Sequence, residues 1–147
     1  MAKHTDVPAV LVVEDDQVTR ETLADLLDEV GYTVFTAPDG VSALTRLQTH
    51  PTPLVVLLDW LLPGMDGMAV LKAMATDVPS AQRHVYVLMT ARWEEARPLL
   101  ATLPLDLVVT LVGKPFNVSD LLDVVAGAAR HVHRQQRRHH SRAGQGA

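Results

Sequence analysis

Cysteine is missing from the whole of this 147-residue sequence. That removes disulfides and thiolate metal ligands from consideration and fits a reducing compartment. No apolar run is long enough to span a bilayer. The start, Met1-Ala2-Lys3-His4-Thr5-Asp6, carries charge but no apolar segment, so no secretory signal is read there and a cytoplasmic location is expected. Acidic residues are missing from the C-terminal end. All 17 lie in residues 1–129 against eight Lys and Arg, a net of −9, whereas residues 130–147 hold five Arg, four of the seven His and no acid. The tail also lacks aromatics, so its charge alone would give salt-sensitive, non-specific contact with nucleic acid or an acidic membrane. Specific DNA binding is not expected of it, and residues 131–147 read as a basic, disordered tail.

What the sequence has is a 48% hydrophobic content, enough for one domain with a full core. The stretch Leu54-Val55-Val56-Leu57-Leu58-Asp59 organises it. Five apolar residues running into a carboxylate, with Pro63-Gly64 and Asp66-Gly67 soon after, predict a strand buried on both faces. Asp59 then sits at the carboxyl end of that strand, the edge at which open α/β sheets bind ligands. A charge there is costly unless a metal, a lysine or a reaction compensates it.

Around that strand the pattern is strand–helix five times, which predicts a parallel sheet with helices on both faces. Residues 7–13 read as the first strand. Leu23, Leu26, Leu27 and Val30 mark a first helix stopped by Gly31. Residues 32–36 read as the second strand. Asp39 caps a second helix through about Thr49. Asp66 caps a third, with Met68, Val70, Leu71 and Met74 on its apolar side, and Asp77-Val78-Pro79-Ser80 ends it. Residues 84–89 form the fourth strand. The fourth helix spans 93–103, with Pro98 tolerable only near a helix start and Pro104 closing it. Residues 105–112 form the fifth strand. Asn117-Val118-Ser119-Asp120 reads as the cap of a last helix reaching about Arg130.

In a parallel sheet all carboxyl strand ends share one edge. Glu14, Asp15 and Asp16 follow the first strand, Asp59 ends the third, Thr90 follows the fourth and Lys114 the fifth. Clustered carboxylates repel and raise one another's pKa unless a cation intervenes. Oxygen-only ligands favour a hard cation, with Mg²⁺ the natural choice. Carboxylates, Mg²⁺, a lysine and a hydroxyl together suit a phosphoryl group, and one carboxylate is a candidate nucleophile.

Four stretches, in order, carry a resemblance: Leu11-Val12-Val13-Glu14-Asp15-Asp16, residues 57–67 around Asp59, Met89-Thr90-Ala91-Arg92, and Gly113-Lys114-Pro115-Phe116. They resemble the receiver domain of two-component response regulators over about residues 7–130. The resemblance implies the flavodoxin-like (βα)₅ fold with strand order 2-1-3-4-5; the order comes from it and not from the strand pattern. It implies Asp59 as phosphoacceptor, taking a phosphoryl group from a sensor histidine kinase or a histidine phosphotransfer protein. It implies Asp15, Glu14, Asp59 and the backbone carbonyl of Leu61 as Mg²⁺ ligands, and Thr90, Ala91 and Lys114 around the phosphoryl oxygens. It also implies a cis Lys114–Pro115 bond. Leu61 and Arg92 fall where the family tunes the lifetime of the phosphorylated state.

Two departures stand beside the match. An aromatic is usual three residues before the lysine, as a conformational switch; here it is Leu111. A Gly-Ala-Asp stretch is usual before that; here it reads Leu103-Pro104-Leu105-Asp106. Both bear on the face built from the fourth helix, the fifth strand and the last helix, through which a homodimer would form. The expectation is a stand-alone receiver: a signalling domain with only self-catalysed phosphotransfer and autodephosphorylation, acting through altered protein contacts. A phosphorylation-independent binding module and a receiver fragment of a larger regulator are the alternatives. A dehalogenase-like phosphohydrolase wants a second Asp where Leu61 stands. A flavin module would need a phosphate loop where Glu14-Asp15-Asp16 would repel phosphate.

Overall fold

The computed structural model describes residues 7–103 and 107–145, with side chains for all of these but 133 and 136–145. The five apolar runs become β1 (Ala9–Val13), β2 (Val34–Ala37), β3 (Leu54–Asp59), β4 (Val85–Thr90) and β5 (Val109–Gly113). They form one parallel sheet in the order β2-β1-β3-β4-β5. Between and after them lie α1 (Gln17–Glu29), α2 (Gly40–Thr49), α3 (Gly67–Ala75), α4 (Val78–Arg83), α5 (Trp93–Leu100) and α6 (Val118–Gln145).

Strand side chains alternate between faces, so each central strand feeds two cores. Leu11, Val13, Val56, Leu58, Tyr86 and Leu88 pack beneath α2, α3, α4 and α5. Val10, Val12, Val55, Leu57, Val87 and Met89 pack beneath α1 and α6. Every residue of β3 and β4 is buried, which is why both strands read as unbroken apolar runs rather than alternating ones. Burying each such side chain contributes about 2 kcal/mol relative to leaving it in water.

Short polar residues start the helices. Asp16 accepts from the Thr19 amide at 2.9 Å, Asp39 from Ser42 at 2.7 Å, Asp66 from Ala69 at 2.8 Å and Asn117 from Asp120 at 2.7 Å. Each cap is worth about 1 kcal/mol. Gly31, at φ +105°, ends α1 in the backbone region that favours glycine.

The structure corrects four boundaries. Asp77-Val78-Pro79-Ser80 does not merely end α3: Asp77 caps the short helix α4, accepting from the Ser80 amide and hydroxyl at 3.4 and 2.7 Å, and Pro79 occupies its first turn. The helix that starts at Trp93 holds Pro98 within it and ends at Leu100, not at Leu103. The fifth strand begins at Val109, later than expected, and Leu105 falls outside the described residues. The last helix does not stop near Arg130. Val132 is buried in the α6-side core, and helical backbone runs to Gln145 where a disordered tail was expected. Residues 130–143 hold no Pro or Gly to break it. Among the described residues no helix is long and apolar enough to cross a membrane.

Candidate functional site

The carboxyl edge of the sheet gathers the predicted groups. Glu14 follows β1, with its amide donating to Ala37 at 3.2 Å, and only 4% of its surface is exposed. Asp59 ends β3 and is 6% exposed; Asp15 is exposed. One oxygen from each of these three carboxylates lies within 4.8 Å of the others. Lys114 reaches in from beyond β5, with its Nζ 3.2 Å from Asp59 Oδ1 and 3.6 Å from Glu14 Oε2. Burial raises the Glu14 carboxyl to about 7, helped by the Asp59 charge and opposed by Lys114. Glu14 Oε2 is buried without a hydrogen-bond partner. A buried carboxylate oxygen held only by an ion pair at 3.6 Å, among crowded carboxylates, is what a bound cation would satisfy, and the all-oxygen donor set fits a hard one.

Thr90 ends β4 and is 2% exposed. Its Oγ1 accepts from the Arg92 amide at 2.8 Å, and its carbonyl accepts from the Lys114 amide at 2.7 Å. The Lys114–Pro115 bond is cis. Ala91 is exposed beside Thr90. Leu61 stands on the loop after β3, 56% exposed. Arg92 is exposed as well, ion-paired with Glu95 at 3.9 Å. Asp16 belongs to the helix cap, as expected, and stays out of the cluster. Leu111 is half-buried on β5 beside Leu88, packed against the α2–α5 core. Pro104, Leu105 and Asp106 lie outside the described residues.

Three contributors escaped the sequence reading. Gly67 lets α3 start against the end of β3: a Cβ there would lie 2.6 Å from the Asp59 carbonyl oxygen. Arg20 turns its guanidinium back from α1, and Nη1 donates to the Glu14 carbonyl at 2.9 Å and the Asp15 carbonyl at 3.4 Å. His84 lies at the opposite, amino edge. Its Nδ1 accepts from the Leu54 amide at 3.0 Å while Nε2 lies 2.9 Å from the Leu47 carbonyl, so the ring is neutral with its proton on Nε2. The only sequence signal for Arg20 was its position in the first turn after the acidic loop, since long helical side chains lean toward the helix start.

The response regulator receiver domain family matches residues 10–126. Sporulation initiation phosphotransferase F of Bacillus subtilis is 30% identical over 116 residues, 79% of this chain and 89% of that protein. The phosphate regulon transcriptional regulatory protein PhoB of Rhizobium meliloti is 34% identical over 118 residues, 79% of this chain but 49% of the regulator. The chain spans between 37% and 49% of the length of the PhoB proteins it matches. A CheY-like receiver domain protein from Methanospirillum hungatei superposes with TM-score 0.70 at 26% identity, covering 85% of this chain and 96% of that one. Sheet order, the edge cluster and these matches together make the chain a member of the response regulator receiver domain family.

Proposed function

We propose that the domain accepts a phosphoryl group on Asp59 from a phosphohistidine of a sensor kinase or phosphotransfer protein. The observation that supports this most is a buried carboxylate at a strand end, 3.2 Å from Lys114 Nζ and grouped with Glu14 and Asp15. An Asp59 carboxylate oxygen attacks phosphorus, the phosphorus–nitrogen bond to the donor imidazole breaks, and an aspartyl phosphate forms. Lys114 balances the charge on the phosphoryl oxygens, and Thr90 offers its hydroxyl to them. Ala91 keeps the approach uncrowded. Glu14, Asp15, Asp59 and the Leu61 carbonyl would hold Mg²⁺, which would neutralise charge on the transferring group. The similarity to a sporulation initiation phosphotransferase supports the same chemistry.

Signalling then runs through changed protein contacts in the cytoplasm. Trp93, Leu99 and Val118 are exposed on the α5-β5-α6 side, which favours that face for the homodimer expected above. With Leu111 in place of an aromatic, movement of Thr90 carries the coupling. The test is intact-mass spectrometry after incubation with acetyl phosphate, with and without Mg²⁺, on wild type and Asp59→Asn. One phosphoryl adduct that needs both Mg²⁺ and Asp59 is expected. A folded wild type with no adduct, and no structural response to beryllofluoride, would leave only the phosphorylation-independent binding module.

A further inference from the structure

Among the described residues, Arg20 is a charged side chain at the site edge to which the proposed reaction assigns no part, and its hydrogen bonds give it one. The β1–α1 turn carries two consecutive carboxylates that must face one ligand, although Glu14 is buried and Asp15 exposed. Backbone between them is soft unless its carbonyls are held. Arg20 lies in the first turn of α1, where its amide donates to the Asp16 carbonyl at 2.9 Å. From there Nη1 reaches the Glu14 carbonyl at 2.9 Å and the Asp15 carbonyl at 3.4 Å. A second tie, from the Asp16 amide to Glu14 Oε1 at 3.3 Å, closes the turn from the other side. Holding two successive carbonyls fixes both peptide planes, and so the directions in which both side chains leave the backbone.

We infer that Arg20 is a positioning residue for the cation: it clamps the turn so that Glu14 and Asp15 present their carboxylates together. This rests on the proposed Mg²⁺-dependent reading of the site. The sign of the effect separates a clamp from a bystander charge. A bystander cation near the carboxylates repels Mg²⁺, so removing it would tighten binding by about twofold. Losing a group that orients ligands weakens binding by about tenfold or more.

The experiment is calorimetric titration of the full chain with MgCl₂ alone, for wild type, Arg20→Gln and Arg20→Lys, with melting curves in metal-free buffer. Arg20→Gln is expected to weaken Mg²⁺ binding about tenfold, with Arg20→Lys between it and wild type. Unchanged or tighter binding by Arg20→Gln overturns the inference, as does a lowered metal-free melting point with unchanged Mg²⁺ affinity. Should Arg20→Gln fail to fold, Arg20→Lys carries the test: weakening of about threefold or more supports the clamp, and wild-type affinity overturns it. A folded wild type that takes up no Mg²⁺ overturns the cation site itself, which is distinct from a binding wild type whose Arg20 variants are indifferent.

Discussion

The amide of Lys114 donates to the carbonyl of Thr90 at 2.7 Å. One backbone bond therefore ties the last residue of β4 to the residue after β5 whose ammonium lies 3.2 Å from Asp59. The ammonium is the neutralising charge for Glu14 as well as for Asp59.

Lys114→Met keeps the bulk of the stem and removes the charge. Phosphorylation of Asp59 by acetyl phosphate, followed by intact mass over time, is expected to slow by about 100-fold, the usual loss when one fixed charge leaves a reacting centre. Far-UV dichroism should be unchanged, since the backbone bond to Thr90 does not need the side chain.

Two buried groups give opposite pH dependences. Burial lowers His84 to about 4 from 6.5, so its contribution is present above 6.5 and lost as pH falls toward 4. Glu14 is raised to about 7 from 4.5, so its contribution is full below 4.5 and lost as pH rises through 7. Each is worth on the order of 3 kcal/mol. In metal-free wild type the two trends oppose each other between pH 7 and 4.5, which the two variants separate in urea titrations. His84→Phe should become more stable on acidification across that range, and Glu14→Gln less stable.

Gly67→Ala places a Cβ 2.6 Å from the Asp59 carbonyl oxygen and 3.0 Å from the Trp60 Cα, both backbone atoms that cannot swing aside. A loss of about 2 kcal/mol in denaturant stability is expected, together with slower phosphorylation. Gly127→Ala, where the nearest atom is the end of the Arg130 side chain at 3.7 Å, should be neutral or mildly stabilising.

Leu61, two residues after Asp59, and Arg92, two residues after Thr90, stand exposed, so under the proposed function either would shield an Asp59 phosphoryl group from water. Leu61→Asn and Arg92→Ala should each speed loss of the phosphoryl group several-fold, with the double variant close to the product of the two. Phosphoprotein decay by mass spectrometry reads this directly.

Much of the fold was legible because β3 and β4 are buried on both faces, which leaves an unbroken apolar signature, and because Asp39, Asp66 and Asn117 cap helices through local contacts. The convergence of Glu14, Asp15, Asp59, Thr90 and Lys114 was legible because parallel topology alone puts carboxyl strand ends on one edge. What escaped has physical reasons. Asp77 followed by Pro79 marks the start of a helix as well as the end of one. Pro98 lies in a helix held by packing of Ala96 and Leu100 against the core rather than by local preference. The continuation of α6 beyond Val132 is polar, so it has no apolar stripe to announce it. Arg20 and His84 act through backbone carbonyls and amides, which carry no sequence identity.

The strand order has a consequence for synthesis. β1 cannot gain its second neighbour until β3 has been made, and the edge cluster keeps its uncompensated negative charge until β5 delivers Lys114. A chain interrupted before β5 would hold three mutually repelling carboxylates with no ammonium between them. Under the proposed function, competence to take a phosphoryl group would be withheld from such incomplete chains.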